Sequence, residues 1–487
     1  MQREWSNRLA FILAAVGSAV GLGNIWKFPY ITGEYGGGVF ILAYLVCICL
    51  IGLPIMLAEI ALGRRGKQSP VNTMYQLSQE AGAHPAWSIL GWSGMVAGCL
   101  ILSYYSVIAG EVMAYSFRAG SGAFNHQTVD GVKGIFNSLV SDPEKLLAWH
   151  TIFIALTILS VSRGVKGGLE KTVTFLMPAL FVVLILLVIY AMNSGGFERA
   201  IDFMFTPDVD KFFYARNEMG EYLMDAEGGK IFTWEPMMVA MGHAFFTLSL
   251  GMGAIMMYGS YLNRHVSIGQ MTLIIVCLDT LVALLAGLAI FPLVFANGLN
   301  PAAGPGLIFE TLPIAFGNMA GGTLIGTLFF VLLFFAALSS AISLIEPTVA
   351  YLIESKGMRR IKATVMTGSI VWFIGIASIF SFSGTTLQDI FRVLFNFIGL
   401  DYIELNHVFF SYNFFKIIDF FTASIMLPLG GLLIALFAGW IMDQDSTERE
   451  FSFRNRYIYP AWHIMVRYVS PFLVAMVFLN IVGIIKF

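Results

Sequence analysis

Gly17-Ser18-Ala19-Val20-Gly21-Leu22-Gly23-Asn24 lies inside the first long apolar run, where an uninterrupted membrane-crossing helix is expected. The stretch carries three glycines and an amide in eight residues. Glycine weakens a helix because it has the most backbone freedom to lose on ordering. Gly21 and Gly23 are two apart and fall on different helix faces, which argues against a small-residue packing stripe and for unwinding. Backbone groups released at mid-membrane are too costly unless they line a cavity or bind something polar. The stretch therefore predicts a broken helix that serves as a binding site.

Composition fixes the class around it. The chain has 487 residues, of which 57% are hydrophobic and 12% charged. Soluble domains carry roughly 25% charged residues. Several runs reach the roughly 20 apolar residues that span a bilayer core, and no soluble domain of useful size interrupts them. This is the pattern of an all-α polytopic membrane protein, with the lipid bilayer as its partner. The net charge of −2 says nothing about a partner; no nucleic-acid partner is expected of such a chain. Cys47, Cys49, Cys99 and Cys277 sit in apolar runs without metal-ligand spacing, so packing roles and no structural disulfide are expected. Arg3 to Arg8 leads into the first run without a small-residue cleavage site, which reads as a first helix rather than a removed signal peptide.

Hydropathy predicts eleven spans, near 8–33, 38–63, 86–117, 147–162, 169–192, 235–262, 268–296, 319–353, 362–382, 415–441 and 460–485. One set of loops holds Arg64, Arg65, Lys67, Arg163, Lys166, Lys171, Arg264, Lys356, Arg359, Arg360 and Lys362. The opposite loops are acidic or lack Lys and Arg. By the positive-inside rule the N-terminus is cytoplasmic, and eleven spans put the C-terminus outside an inner (plasma) membrane. The aromatic and charged loop 197–235 is expected to pack over the outer face. Residues 300–317 have the Pro and Gly punctuation of a re-entrant hairpin. No role is legible for the aromatic-rich connection 385–414.

The sixth span repeats the opening pattern as Phe245-Phe246-Thr247-Leu248-Ser249-Leu250-Gly251-Met252-Gly253. Paired Gly-interrupted spans at matching positions of two halves point to a transporter binding site. Five spans per half is an odd number, so the halves insert with opposite topology. The expected organisation is a first inverted repeat over 1–195, an outer loop over 196–234, a second repeat over 235–441, and an eleventh helix with its flanks over 442–487.

Six segments, in this order, carry a resemblance: GSAVGLGNIWKFPY (17–30), GGGVF (36–40), SYYS (103–106), FFTLSLGMG (245–253), LDTLVALLAGLAIFP (278–292) and FFAALSSAISLIEP (334–347). On them the chain resembles bacterial members of the neurotransmitter:sodium symporter family over essentially its whole length. The resemblance implies the LeuT-type fold, a 5+5 inverted-topology repeat with broken helices 1 and 6 plus an eleventh helix. It also implies two sodium sites.

One ion is expected on the carbonyls of Gly17, Val20 and Ala336 and the hydroxyls of Ser339 and Ser340. Residues 336, 339 and 340 share a helix face by spacing alone; the plainer role of such serines is a bond to the preceding turn. The other ion is expected on Ala19, Asn24, Thr247 and Asp279, closed by the substrate carboxylate. Many relatives have Asn at the position of Asp279, and chloride-dependent animal members have Ser where this chain has Ala283. An intramembrane Asp is a functional candidate by its cost alone, and here it supplies the charge that chloride supplies elsewhere, so chloride-independent transport is expected. His243 replaces the usual Gln. It is either a neutral core histidine or a group facing Asp279 and Tyr44 that compensates charge by proton antiport.

Gly21 stands where monoamine carriers of the family have Asp, which leaves room for a substrate carboxylate near Gly23 and Tyr105. Carbonyls of Ala19, Phe246, Thr247 and Ser249 would meet the amine. Ile101, Tyr105, Phe246, Ser249, Met252, Ser340 and Leu344 would set side-chain selectivity. They are mostly apolar, so a neutral aliphatic or aromatic L-amino acid is expected. Lys27 and Asp419 match the outer gate, with Lys giving a weaker latch than Arg or merely snorkelling. Arg3, Trp5 and Glu354 match the inner gate, Gly168 and Pro178 the sodium-release element, and Glu59 a cap on the broken sixth helix.

An enzyme would need a nucleophile–base pair or a metal cluster, and the histidines are scattered. A nucleotide loop at Gly21-x-Gly23 lacks its strand–turn–helix context. A membrane sensor (a transceptor) with the same amino-acid pocket is the competing reading.

Overall fold

Two interrupted helices organise all the others. The computed structural model describes residues 4–217, 220–225, 227–299, 301, 306–384, 413–451 and 457–481. The first helix runs Arg8–Ala19, capped by the Asn7 side chain on the amide of Ala10. It stops where Val20 turns extended, with ψ 95°. The chain resumes as Gly23–Glu34 at an angle of 53° to the first piece, beginning with a π-helical turn over Gly23–Lys27. The sixth span is likewise two short helices, Glu235–Thr247 and Ala254–Ser260. Between them Ser249, Gly251 and Gly253 take φ of 53°, 78° and 74°. Glycine meets that left-handed demand without penalty, and a serine does not.

Nine unbroken helices among the described residues are long and apolar enough to cross a membrane. They are Gly38–Gly66, Pro85–Gly120, Pro143–Ser162, Val165–Met192, Ile268–Ala296, Gly322–Lys356, Arg360–Phe382, Phe414–Ile441 and Ile458–Asn480. With the two broken helices they fill the eleven expected places. The fourth span starts four residues early, because Asp142 caps it on the amide of Lys145 and Pro143 occupies its first turn. Those charged and Pro residues read as loop from hydropathy alone. The third and eighth spans are the centre, with 83% and 78% of their apolar windows buried; the fourth and fifth, at 33%, lie at the periphery.

The 197–235 loop does pack down. Its helices Phe197–Phe205 and Val209–Phe213 lie against the start of the second span, where Pro207 bridges to Gly37. Gly37 has φ 59°, and a Cβ there would strike the Phe203 carbonyl, so only glycine lets the loop approach. Beyond the helices, Ala215, Leu223 and Ile231 each donate a backbone hydrogen bond to another of the three, closing a ring of short segments. Of the expected re-entrant hairpin, 307–318 is helical. Residues 300 and 302–305, and 385–412 of the long connection, lie outside the described residues.

Candidate functional site

A helix end leaves its last carbonyls without intrahelical partners. At the first break side chains from two other spans reach them. Ser249 Oγ donates to the Ser18 carbonyl at 2.8 Å, and Ser340 Oγ donates to Gly17 and Ser18 at 3.3 and 3.4 Å. Around these bonds lies a closed space of about 20 Å³, room for one water. Ala19, Gly21 and Gly23 line it from the first break, Ile101 and Tyr105 from the third span, Phe246, Ser249 and Met252 from the sixth, and Ser340 and Leu344 from the eighth. Thr247 is absent from that wall and turns to Asp279 instead. Ser18 and Ser343 line it and were not anticipated. A serine in an apolar helix ordinarily bonds its own preceding turn, as Ser343 does to the Ser340 carbonyl at 2.8 Å, so neither stood out in the sequence.

Asp279 is fully buried beside this space and accepts hydrogen bonds from three side chains. Thr247 Oγ1 donates to its two oxygens at 3.1 and 3.0 Å. Asn24 Nδ2 donates to Oδ1 at 2.8 Å, and the Tyr44 hydroxyl donates to Oδ2 at 3.4 Å. The Asn24 oxygen accepts from the Gly21 amide at 3.2 Å. The cluster therefore joins the first, second, sixth and seventh spans through one carboxylate. His243 does not bond to it. The imidazole stacks on Phe28 at 5.6 Å and packs against the Tyr44 ring at 5.4 Å, both centroid distances. Neither ring nitrogen has a hydrogen-bond partner among the described residues. His243 thus reaches Asp279 only through Tyr44.

The second expected cluster is also drawn together. Ser339 Oγ donates to the Phe335 and Ala336 carbonyls at 3.1 and 3.0 Å, the plain preceding-turn bond. A Cβ on Gly17 would come within 3.1 Å of both the Ser339 Cβ and the Met177 sulfur. The first, fifth and eighth spans therefore meet at Gly17, with Val20 just beyond at the helix end. Gly168 lies in the π-helical turn Val165–Glu170, and Pro178 inside the helix that follows.

Tyr105 and Phe246 line the closed space on one side and a second cavity of about 470 Å³ on the other, so they form the partition. The Tyr105 hydroxyl accepts from the Leu22 amide at 3.4 Å, which pins the partition to the break. Lys27 and Asp419 both line the larger cavity. Lys27 Nζ sits over the Phe246 ring, 5.6 Å from its centroid. Among the described residues no ion pair joins Lys27 to Asp419.

The model of the family described as "Sodium:neurotransmitter symporter family" matches residues 2–131 and 136–487. The chain belongs to the sodium:neurotransmitter symporter family. An uncharacterized sodium-dependent transporter of Bacillus subtilis (strain 168), YhdH, is 33% identical over 99% of this chain and 98% of its own length. Another from Haemophilus influenzae is 29% identical, covering 98% of both chains. The crystal structure of MhsT in complex with L-phenylalanine superposes with a TM-score of 0.83 at 38% identity, over 98% of this chain and 99% of that one. The fold is accordingly the LeuT-type fold with broken helices 1 and 6.

On the basic-loop side this symporter-family chain is shut. Trp5 is buried, donates Nε1 to the Tyr258 carbonyl at 3.1 Å, and packs edge-on to Tyr258 and Tyr261. Glu354 accepts from the Ser69 amide at 2.8 Å and from Asn72 at 3.2 Å; Arg3 lies outside the described residues. Glu59 accepts from the Gly251 amide at 2.6 Å, inside the sixth-span break. A further cluster went unread in the sequence. Fully buried Glu346 accepts from the Tyr261 hydroxyl at 2.7 Å and from Arg360 at 2.5 Å, while Arg360 Nε donates to the Val161 carbonyl at 2.8 Å. Glu346 is an acid in the apolar run FFAALSSAISLIEP, which is itself a signal of function; Arg360 lies among the loop charges that set orientation, where nothing marks it as a partner for a buried acid.

Proposed function

We propose that this chain is a sodium-coupled symporter that imports a neutral, hydrophobic or aromatic L-amino acid by alternating access. The observation that carries the reading is the closed space itself. Freed backbone of two broken helices forms its polar end, apolar side chains form the rest, and a buried aspartate stands beside it. The amine would meet carbonyls at Ala19, Phe246, Thr247 and Ser249. The carboxylate would fit above Gly21, near the Gly23 amide and Tyr105. No charged side chain lines the space to pair with a charged substrate. MhsT, solved with L-phenylalanine, supports the same class.

Sodium is the co-substrate and binds at two positions. The first takes Ala19, Asn24, Thr247 and Asp279, and the second takes Gly17, Val20, Ala336, Ser339 and Ser340. Asn24 gives its NH2 to Asp279 and accepts the Gly21 amide on its oxygen; that oxygen has a second lone pair to offer a cation. Asp279 provides the compensating negative charge, and transport is independent of chloride. His243, without a bond to Asp279, is assigned to packing.

The larger cavity is the outer vestibule, the basic loops and the N-terminus face the cytoplasm, and the C-terminus faces outward from the plasma membrane. Tyr105 and Phe246 close over the substrate; Lys27 and Asp419 meet above them when the vestibule shuts. Trp5, Arg3 and Glu354 open on the inner side, and the Gly168–Pro178 element of the fifth span yields to release sodium.

Purified protein in proteoliposomes tests the reading. Uptake of labelled neutral amino acids should require an inward sodium gradient and persist when gluconate replaces chloride. Sodium-dependent binding without accumulation would instead identify a sensor. His243→Gln should leave the pH dependence of uptake unchanged; a displaced profile would restore proton antiport.

A further inference from the structure

The closed space contains a hydroxyl that the transport cycle above leaves idle. Ser18 is 2% exposed and lines that space, and its Oγ has no hydrogen-bond partner among the described residues. A serine in an apolar helix ordinarily bonds the preceding turn. Ser103, Ser106, Ser260 and Ser343 do so here, donating to the carbonyls of Leu100, Leu102, Met257 and Ser340 at 2.6 to 2.8 Å. Among the described residues, Ser18 is the one residue lining this space whose buried side-chain oxygen is left without a partner. The backbone beneath that oxygen is fixed, because the Ser18 carbonyl accepts from Ser249 on the sixth span and Ser340 on the eighth. A polar group held in this way favours a ligand that bonds it and penalises one that leaves it unpaired.

Its place in the wall selects what it can meet. Gly23, Tyr105 and Phe246 line both the closed space and the vestibule, whereas Ser18, Ile101, Met252, Ser343 and Leu344 line the closed space only. A substrate whose carboxylate sits near Gly23 and Tyr105 turns its side chain toward that second set. Ile101, Met252 and Leu344 are apolar, and the Ser343 hydrogen is spent on its own turn. Ser18 is therefore the free hydrogen-bonding point at an otherwise apolar end. A charged side chain there would lack a counter-charge, and an amide would bring more donors and acceptors than one serine can satisfy. A single hydroxyl, which donates and accepts as Ser18 itself does, matches it.

We propose that Ser18 selects neutral amino acids that carry a hydroxyl on the side chain, its Oγ hydrogen-bonding that hydroxyl. This rests on the amino acid occupying the closed space as in the symport reading. Calorimetric titration of the full-length protein in nanodiscs, in sodium buffer, tests it without requiring transport. The probes are two pairs of nearly equal shape that differ by a hydroxyl: L-tyrosine against L-phenylalanine, and L-threonine against L-valine.

The wild type should bind the hydroxylated member of at least one pair about tenfold more tightly, and Ser18→Ala should bring that ratio close to one. A merely structural role for Ser18 would weaken all four amino acids alike and keep the ratio. If Ser18→Ala fails to fold, Ser18→Cys, whose thiol is a weak donor, should shrink the ratio in its place. Equal binding within both pairs, or a preference that survives the substitution, overturns the proposal and leaves the symport reading standing. If none of the four amino acids binds, the closed space is not the substrate site, and the symport reading falls together with the proposal.

Discussion

Gly21 sets what the closed space admits. A Cβ there would stand 2.8 Å from Ser340 Oγ and 3.3 Å from the Tyr105 hydroxyl, so the Ser340 hydroxyl must swing off the Gly17 and Ser18 carbonyls and the Tyr105 hydroxyl must give way slightly. Gly21→Ala should weaken amino-acid binding by at least about tenfold, roughly 1.4 kcal/mol, in a competition assay with the protein still folded. Asp279→Asn probes the other side of the site. Thr247, Tyr44 and Asn24 all donate to this side chain, and an amide in its place turns an NH2 toward one of those donors. Such a mispaired buried group costs about 1–3 kcal/mol. The charge that would hold sodium is lost as well. The sodium concentration for half-maximal uptake should rise by about tenfold or more; an unchanged value would remove Asp279 from the ion site. At this scale the sequence was legible wherever a residue broke the rule of its surroundings. Gly21, Gly23, Asn24 and Asp279 each contradict an apolar helix. Ser18 and Ser343 do not, since a serine in such a helix ordinarily bonds its own preceding turn.

Among the elements, spans were readable because a bilayer demands about twenty apolar residues, and the breaks because glycines are clustered. What sequence could not give is which distant elements share a charge. Glu346 and Arg360 flank one loop, but their cluster also takes Tyr261 from the second half of the sixth helix and the Val161 carbonyl from the fourth span. Nothing local in 343–347 or 358–362 encodes that meeting. The cluster ties the second half of the sixth helix to the eighth, ninth and fourth spans on the side that Trp5 also closes. Glu346→Gln leaves Arg360 half-paired in a buried setting. Breaking one partner of a buried ion pair costs about 3–5 kcal/mol, the lower end applying here because Arg360 is 18% exposed. The melting temperature in detergent should fall. A cysteine placed at Ser260 should also react faster with a membrane-impermeant thiol reagent applied from the cytoplasmic face. Lower stability with unchanged reactivity would make the cluster a structural tie and not part of the gate.

For the whole molecule, the question is how much charge crosses with each substrate. The proposed cycle carries two sodium ions and a zwitterion, two net charges inward. Moving a charge through 100 mV is worth roughly 2.3 kcal/mol, so two supply roughly 4.6 kcal/mol. At about 1.4 kcal/mol per decade, that voltage alone sustains an amino-acid gradient of more than about a thousandfold. If His243 and Asp279 returned a proton in each cycle, only one net charge would cross, and the same voltage would sustain about fiftyfold. Packing of His243 between Phe28 and Tyr44, without a bond to Asp279, favours the first case. Proteoliposomes with equal sodium on both sides and a valinomycin-clamped potassium diffusion potential isolate the electrical term. Steady-state accumulation should change by about 3.4 decades per 100 mV for two charges and about 1.7 for one. A slope near the lower figure that returns to the higher one in His243→Gln would show that the imidazole carries the returning proton despite its apolar neighbours.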